Sequence, residues 1–189
     1  MSNCLGVVLA GGLSSRMGKD KSTLKRNQES MLNFSKQLLS KAQVNNVVVS
    51  GNGHEVTDVV ANAGPLGGIY SVILKHKPEA ILVLPVDLPL MTKEALHKLK
   101  QAGELSKKAC YYQQHYLPLY LPITAYVELY FQQAFSQFSG KGPSIRALLE
   151  KIPHNPLTPD SEQTLFNSNT PDQWQHAKTL FINKRNSYV

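Results

Sequence analysis

The residues best suited to chemistry stand in a glycine-rich, basic segment near the N-terminus. It reads LAGGLSSRMGKDK from Leu9 to Lys21 and follows a short apolar run. Glycines in such a loop let backbone N–H groups approach phosphate oxygens, and Arg16, Lys19 and Lys21 add positive charge for a polyphosphate. The segment therefore predicts a phosphate-binding loop. The alternative is a glycine-rich turn whose basic residues are simply solvated.

The spacing within this segment excludes two common phosphate-binding loops. A Walker loop has four residues between its first glycine and Gly-Lys-Ser/Thr. Here five residues separate Gly12 from Gly18, and Asp20 replaces the hydroxyl residue. The dinucleotide fingerprint G-x-G-x-x-G does not fit the segment either. We therefore expect a nucleotide-binding loop of another class.

A single carboxylate follows another apolar run. Asp87 comes directly after Ile81–Val86, between Pro85 and Pro89. Mg²⁺ prefers hard oxygen ligands and keeps most of its waters, so one carboxylate beside a triphosphate can hold it. An aspartate can equally cap the turn that follows, and the residues alone leave both roles open.

Strands and helices alternate along the chain and must position these residues. Continuous apolar runs at Cys4–Ala10, Asn46–Ser50 and Ile81–Val86 are typical of strands buried on both faces of a parallel sheet. Periodic apolar positions predict helices at Ser30–Ala42, Leu66–Lys77, Thr92–Ala102, Thr124–Phe138 and Ser144–Lys151, and a last helix from a capping box at Thr170. Open α/β sheets bind ligands at the carboxyl ends of their strands, so the glycine loop and Asp87 are expected at one edge.

Two further strands are predicted in the second half, at Ala109–Tyr112 and Leu117–Leu121. Pro118 and Pro122 favour an edge strand or a bend for the second of these, because proline cannot donate to a sheet ladder. The pattern predicts an α/β fold with a mostly parallel sheet. We expect a single domain over residues 1–183 and a loose tail at residues 184–189.

Composition narrows the class of protein. The 189 residues are 42% hydrophobic, which suits one globular core. No stretch approaches the roughly 18 apolar residues of a membrane span, and the N-terminus lacks the basic region of a signal peptide. We therefore expect a cytoplasmic protein without a membrane partner. The net charge of +7 suits phosphate ligands, and the scattered basic residues form no stripe, so nucleic acid is not expected as a partner.

The glycine-rich segment resembles the opening signature of the nucleotidyltransferases with a GT-A-like, Rossmann-type fold. It is most similar to that of the molybdenum cofactor guanylyltransferases. Three further segments resemble motifs of that family: GPLGGI at 64–69, PVDLP at 85–89 and FNSNTP at 166–171. The last motif and the chain length favour the molybdenum branch. The resemblance implies a three-layer α/β/α fold.

The resemblance also implies a site, residue by residue. Catalysis would use Arg16, Lys21 and Asp87, with Asp87 as the ligand of Mg²⁺ or Mn²⁺. The nucleotide would contact Leu9, Ala10, Gly11, Gly12, Lys21, Ser50, Asn52, Asn62 and Asp87. The acceptor would contact Gly64, Leu66, Gly68, Ser71, Arg146, Asn167 and Asn169. For Arg146, an exposed helix arginine is the alternative.

Two positions depart from the family pattern. Ser50 stands where the family usually has an asparagine near the guanine base, so base selectivity is open at this position. The family also carries an acidic residue before its second glycine motif. Here Asn62 takes that place and Asp58 is the nearest carboxylate. Either could substitute, and the third alternative is that this nucleotide contact is missing. Asn167 and Asn169 could equally be turn residues before the last helix.

The implied reaction is transfer of GMP from GTP to the terminal phosphate of molybdenum-molybdopterin. It would form a molybdopterin guanine dinucleotide cofactor and pyrophosphate. GTP, molybdopterin, and proteins that insert molybdenum or mature molybdoenzymes are the implied partners. The alternatives are a cytidylyltransferase, another nucleotidyltransferase with a different phosphorylated acceptor, and a nucleotide-binding module without catalysis.

Overall fold

The computed structural model describes residues 3–11, 21–60, 62–136 and 142–186, with side chains for all of these except Lys21 and residues 182–186. Its strands are β1 (Cys4–Leu9), β2 (Lys25–Arg26), β3 (Glu29–Ser30), β4 (Asn46–Ser50), β5 (Ala80–Pro85), β6 (Ala109–Tyr112), β7 (His115–Pro122) and β8 (His154–Leu157). Its α-helices are α1 (Met31–Lys41), α2 (Gly64–His76), α3 (Lys93–Ser106), α4 (Ala125–Ser136), α5 (Ile145–Leu149) and α6 (Pro171–Asn186).

The apolar runs of the sequence form the centre of one sheet. Six of the described strands lie side by side in the order β4-β1-β5-β7-β6-β8. β1 pairs in parallel with β4 and β5, β6 pairs in parallel with β8, and β7 is antiparallel to both of its neighbours. The sheet is therefore mostly parallel, as predicted. The short strands β2 and β3 form a separate antiparallel hairpin.

Helices cover both faces of the sheet and complete the predicted three layers. In β5, Leu82 and Leu84 join a core that includes apolar residues of α1, α3 and α6. Ile81 and Val83 join the other core, which includes apolar residues of α2, α4 and α5. Each such buried aliphatic side chain stabilises the fold by about 1.5–3 kcal/mol relative to exposure. Burial on both faces explains why these strands appear in the sequence as continuous apolar runs.

Strand β7 lies inside the sheet, between β5 and β6, so the prediction of an edge strand is wrong. Its pairing with β5 begins at Leu119, and its register with β6 shifts near Pro118. Pro118 therefore occupies an irregularity where no ladder N–H is required, and Pro122 is the last paired residue. The alternative prediction of a bend agrees with this irregularity.

Side-chain caps mark the starts of several helices. Ser30 Oγ accepts from the N–H of Asn33 at the start of α1. The capping box of α6 is confirmed, because the N–H of Gln173 donates to Thr170 Oγ1 and Gln173 Oε1 accepts from the N–H of Thr170. The last helix extends to Asn186. In the described part of the chain, no helix is both long and apolar enough to cross a bilayer.

Candidate active site

Three parallel strands end together at one edge of the sheet. Leu9 is in register with Ser50 of β4 and with the last residue of β5. The ladder continues one residue further, since the N–H of Ala10 donates to Ser50 O (2.9 Å) and the N–H of Val86 donates to Leu9 O (3.2 Å). The start of the glycine loop, Ser50 and the approach to Asp87 thus lie side by side, where open α/β sheets bind ligands.

The described start of the glycine loop packs against the turn that follows β4. A Cβ on Gly51 would lie 2.6 Å from Gly11 N and 3.0 Å from Gly11 Cα. The turn closes on itself, because the N–H of Gly51 donates to Val56 O (2.9 Å) and the N–H of His54 donates to Gly51 O (3.1 Å). Two glycines therefore face each other, and the turn fixes the position of Gly11.

Gly51→Ala is expected to lower the free energy of unfolding by about 2–3 kcal/mol, because the φ of +146° disfavours a side chain and the new Cβ would meet backbone. Nucleotide affinity should fall at least about tenfold as Gly11 is displaced. Gly53→Ala is the control: its φ of +79° gives backbone strain, but nothing lies within 4 Å of its Cβ. Urea unfolding and nucleotide titration compare the two, and equal effects would contradict the packing argument.

Several predicted phosphate contacts fall at or beyond the start of this loop. Ala10 is half-buried and Gly11 is exposed at the sheet edge. Gly12 and Arg16 lie outside the described residues, and Lys21 begins a 3₁₀ turn that runs to Thr23. The nucleotide and catalytic roles of these residues stay predictions.

A buried hydroxyl and a carboxyl meet beneath the same edge. Ser50 is 1% exposed, and a Cβ on Gly68 would lie 2.7 Å from Ser50 Oγ and 3.4 Å from Asp58 Oδ1. Burial raises the pKa of the Asp58 carboxyl, and the nearby Ser50 hydroxyl partly opposes that rise. Neither Ser50 Oγ nor Asp58 Oδ1 makes a hydrogen bond of good geometry with the described residues. The pair therefore keeps unused hydrogen-bonding capacity, and Asp58, which is only half-buried, is its member open to a ligand.

The structure separates the two candidates for the family's acidic position. Asp58 lies beside Ser50, whereas Asn62 is exposed in a left-handed conformation with φ of 60°. Asn52 is also exposed, in the turn that follows β4. The sequence left Asp58 and Asn62 open because the path of the loop between them carries no periodic signal. Of the two, Asp58 is the residue placed to act together with Ser50.

The second glycine motif forms the first turns of α2. Gly64 has φ of +65°, and the space where a Cβ would stand is open. Leu66 is fully buried in the core, and the Ser71 hydroxyl donates to Gly67 O (2.8 Å) and accepts from the N–H of Val59 (2.9 Å). Leu66 and Ser71 thus anchor α2 and the loop before it, while Gly64 faces outward. Their contacts with an acceptor stay predictions.

Asp87 occupies a turn after β5 and is held by the C-terminal motif. It is half-buried, and its Oδ1 is enclosed. The N–H of Ser168 donates to Asp87 O at 2.9 Å, and Ser168 Oγ donates to the same oxygen at 3.3 Å. Asn167 and Asn169 flank Ser168, so the structure brings both asparagines to the Asp87 turn across 81 positions of sequence. Sequence analysis did not predict a role for Ser168, since a lone serine in a turn has no spacing to interpret.

Arg146 lies on the outer surface of α5. Its Nε donates to Glu150 Oε1 at 2.8 Å, and this hydrogen bond raises the pKa of the arginine. Gly142, which leads into α5, approaches the start of α2 so closely that a Cβ there would lie 2.3 Å from Ala63 O. The helix is therefore tied to the second glycine motif, and an acceptor contact of Arg146 stays a prediction.

The carboxylates at this edge suit a metal that brings its own ligands. No group of three or more His, Cys, Asp or Glu residues gathers as a metal cluster in the described ranges. Mg²⁺ binds through one or two carboxylates together with waters and phosphate oxygens. Asp87, which is half-exposed and has a backbone fixed by Ser168, fits that mode of binding.

The fold and this edge define the chain as a nucleotidyltransferase. Residues 6–155 match the family profile described as the MobA-like NTP transferase domain, and the chain belongs to that family. It is 37% identical over 178 residues to the molybdenum cofactor guanylyltransferase of Xanthomonas euvesicatoria pv. vesicatoria, across 89% of this chain and 91% of the relative. The resemblance drawn from the sequence motifs is thereby confirmed.

Solved structures agree on the fold. Molybdopterin-guanine dinucleotide biosynthesis protein A from Archaeoglobus fulgidus superposes with a TM-score of 0.67 at 19% identity, over 95% of this chain and 99% of that one. The 2-C-methyl-D-erythritol 4-phosphate cytidylyltransferase of Thermus thermophilus gives a TM-score of 0.65 at 13% identity, over 92% and 96%. One fold therefore serves proteins named for different nucleotides, and selectivity must come from particular side chains.

Proposed function

We propose that this protein transfers GMP from GTP to the terminal phosphate of molybdenum-molybdopterin, which yields a molybdopterin guanine dinucleotide cofactor and pyrophosphate. The proposal rests on one observation: the start of the glycine loop at Leu9–Gly11, the Ser50–Asp58 pair and the Asp87 turn with its Asn-Ser-Asn motif meet at one sheet edge. The relative at 37% identity, a molybdenum cofactor guanylyltransferase, supports it.

The proposed reaction requires the alignment of two substrates more than it requires a general acid or base. A phosphate oxygen of the acceptor attacks the α-phosphorus of GTP, a new P–O bond forms, and the bond to the leaving pyrophosphate breaks. The attacking oxygen is already anionic near neutral pH, so no general base is required. The site must hold two polyanions in line and offset their repulsion. Backbone amides of the loop from Gly11 and the cations Arg16 and Lys21 are proposed to do so.

Asp87 is proposed to hold Mg²⁺, with Mn²⁺ as a substitute. When bound, such an ion polarises the α-phosphate and offsets charge that develops on the pyrophosphate. The protein's own contribution is to keep the carboxylate in place, and the two hydrogen bonds from Ser168 to Asp87 O do this from the C-terminal segment.

The Ser50–Asp58 pair is proposed to recognise guanine. An ionised carboxylate only accepts hydrogen bonds, and guanine offers two donors on one edge, the ring N1–H and the 2-amino group. Cytosine has an acceptor, N3, at the position of guanine N1–H. In CTP this acceptor would face the Asp58 carboxylate, which cannot donate to it. Asp58 therefore favours GTP over CTP, even though Ser50 replaces the asparagine usual in the family.

The acceptor is proposed to bind between Gly64 and the Asn167–Asn169 segment. Amide side chains can donate to phosphate and pair with the edge of a pterin ring. Both asparagines stand next to the Asp87 turn, where the terminal phosphate of the acceptor has to arrive. Proteins that deliver molybdenum or receive the finished cofactor are expected partners of the same reaction sequence.

The direct test is pyrophosphate release with Mg²⁺ and each NTP in turn, with and without molybdopterin. We expect release that depends on the acceptor and is selective for GTP. Preference for CTP would retain the chemistry and refute the assignment of the base. Tight nucleotide binding without release from any NTP would indicate a binding module or a different acceptor, and would refute the proposed reaction.

A further inference from the structure

Arg26 connects three parts of the molecule that surround the site. It lies on β2, in the hairpin that follows the 3₁₀ turn beginning at Lys21. Its Nε donates to the carbonyl oxygen of Pro89 at 2.7 Å, across 63 positions of sequence. Its guanidinium lies over the ring of Phe34 in α1, 4.2 Å from the centroid, and 5.1 Å from the ring centroid of Phe181 in α6.

The acceptor of this hydrogen bond belongs to the Asp87 turn. Pro89 is buried two residues after the carboxylate, and the turn is closed by a bond from the N–H of Met91 to Leu88 O (3.2 Å). Ser168 holds the carbonyl of Asp87 itself. Two donors from distant segments thus hold the backbone at the carboxylate and two residues after it. Ser168, just before α6, donates to Asp87 O, and Arg26, in the hairpin before α1, donates to Pro89 O.

The segment that carries Arg26 is itself anchored. The N–H of Met31 donates to Leu24 O at 2.8 Å, which closes the hairpin onto the start of α1, and Ser22 is buried. The chain from the end of the glycine loop to Arg26 therefore has little freedom to shift. A bond from Arg26 to Pro89 transmits that fixed position to the Asp87 turn.

Burying the Arg26 guanidinium costs more desolvation free energy than burying an aliphatic side chain would. Burial lowers the pKa of Arg26 because the guanidinium loses part of its hydration. The cross-strand neighbour Glu29 raises the pKa, but by less than burial lowers it. An aliphatic side chain could pack between Phe34 and Phe181 without that cost. What an aliphatic chain lacks is an N–H directed at Pro89 O.

We propose that Arg26 is a positioning residue that holds the Asp87 turn in place relative to β2 and the start of α1. A nucleotide seated on the loop then meets the carboxylate without rearrangement of the turn. The catalytic consequence rests on the proposed function, whereas the hold on the turn is a property of the ligand-free protein and can be measured there.

Variants of this one side chain separate the hydrogen bond from the packing. Arg26→Met places a methyl group where Nε stands. Arg26→Gln keeps an N–H donor on the equivalent atom but removes the charge. Arg26→Lys keeps the charge over the rings and has a methylene at that position, so it repeats the comparison should the methionine variant fold poorly. Lys25→Met, on the exposed neighbouring position, is the matched control.

The first readout is hydrogen exchange of the Ser168 and Met91 amides in the protein without nucleotide. Arg26→Met should accelerate both about tenfold, and Arg26→Gln and Lys25→Met should exchange as the wild type does. The second readout is GTP affinity measured with Mn²⁺ and with EDTA. Arg26→Met should lose about tenfold in affinity with Mn²⁺ and nothing in EDTA, and Arg26→Gln should restore the affinity.

Unchanged exchange in both Arg26→Met and Arg26→Lys would overturn the hold, whatever their activity. Equal loss of GTP affinity with and without metal would show a general structural role and would overturn it as well. A third outcome combines two results: Arg26→Met accelerates exchange, and the wild-type protein releases no pyrophosphate from any NTP. That outcome would support the positioning role of Arg26 and refute the proposed function.

Discussion

Asp87→Asn should lower the rate of pyrophosphate release at saturating GTP and acceptor by at least about 10³-fold, because loss of the proposed metal ligand would remove several kcal/mol of transition-state stabilisation. The change retains the size of the side chain and removes its charge. The fold should persist, since the hydrogen bonds from Ser168 go to the backbone oxygen of Asp87 and not to its carboxylate. Steady-state release assays in Mg²⁺ and urea unfolding of the same preparation measure the two effects.

This variant also decides between the two roles that the sequence left open for Asp87. Asparagine replaces aspartate readily in turns, because its side chain can accept the same local backbone hydrogen bonds. If Asp87 only shaped its turn, the variant would keep nearly full activity, and the metal assignment would fail. Asp160→Asn is the matched control: Asp160 is an exposed carboxylate paired with Lys98 at 2.6 Å, and its neutralisation should change neither activity nor metal dependence.

The central strands and the edge that carries the site could be predicted from the sequence for a physical reason. Strands buried on both faces must be apolar throughout, so β1, β4 and β5 appear as uninterrupted runs, and β4 has the predicted bounds of Asn46–Ser50. Parallel strands end at one edge, so whatever follows them lies close together. The capping box at Thr170 could be predicted because its two side chains stand three residues apart in the sequence.

The remaining features depend on contacts that no local pattern encodes. Strand β8 is four residues long with alternate positions half-exposed, so it carries no apolar run. The grip of Ser168 on Asp87 and that of Arg26 on Pro89 join segments more than 60 positions apart. Such pairs follow from the packing of the whole chain and not from spacing within a motif.

The same limit applied to the residue that we propose reads the base. The sequence left Asn62 and Asp58 open for this position, and the structure brings Asp58 to Ser50. Ser71 explains the difference, because its hydroxyl accepts from the N–H of Val59 and fixes the backbone next to Asp58. A hydroxyl inside α2 thereby determines which side chain of the preceding loop reaches the site.

Asp58→Asn is expected to reduce kcat/KM for GTP by roughly 100-fold, as befits hydrogen bonds from guanine to a charged acceptor. The amide of asparagine has one acceptor and one donor, so it can satisfy guanine only in part and no longer repels the N3 atom of cytosine. We therefore expect kcat/KM for CTP to stay constant or to rise. Competition between GTP and CTP in one reaction measures the change in selectivity directly.

The same substitution should make the ligand-free protein more stable at neutral pH. Burial raises the pKa of Asp58 above its ordinary value of 3.8, so the folded protein retains this proton to higher pH than the unfolded chain. The stability contribution of the protonated group is fully present below pH 3.8 and is lost as the pH rises through the folded-state pKa. Asparagine suffers no such loss. The stability difference between variant and wild type, measured by urea unfolding, should shrink as the pH is lowered.

Asp58→Asn is therefore expected to raise stability and to lower GTP selectivity. This combination is typical of a side chain that binds a ligand and destabilises the ligand-free fold. Asn62→Gly is the matched control, because glycine tolerates the left-handed φ of 60° and removes the side chain. It should leave selectivity unchanged. If instead Asn62→Gly lost selectivity for GTP and Asp58→Asn kept it, the base would be read from the exposed turn. The buried carboxyl beside Ser50 would then need another explanation.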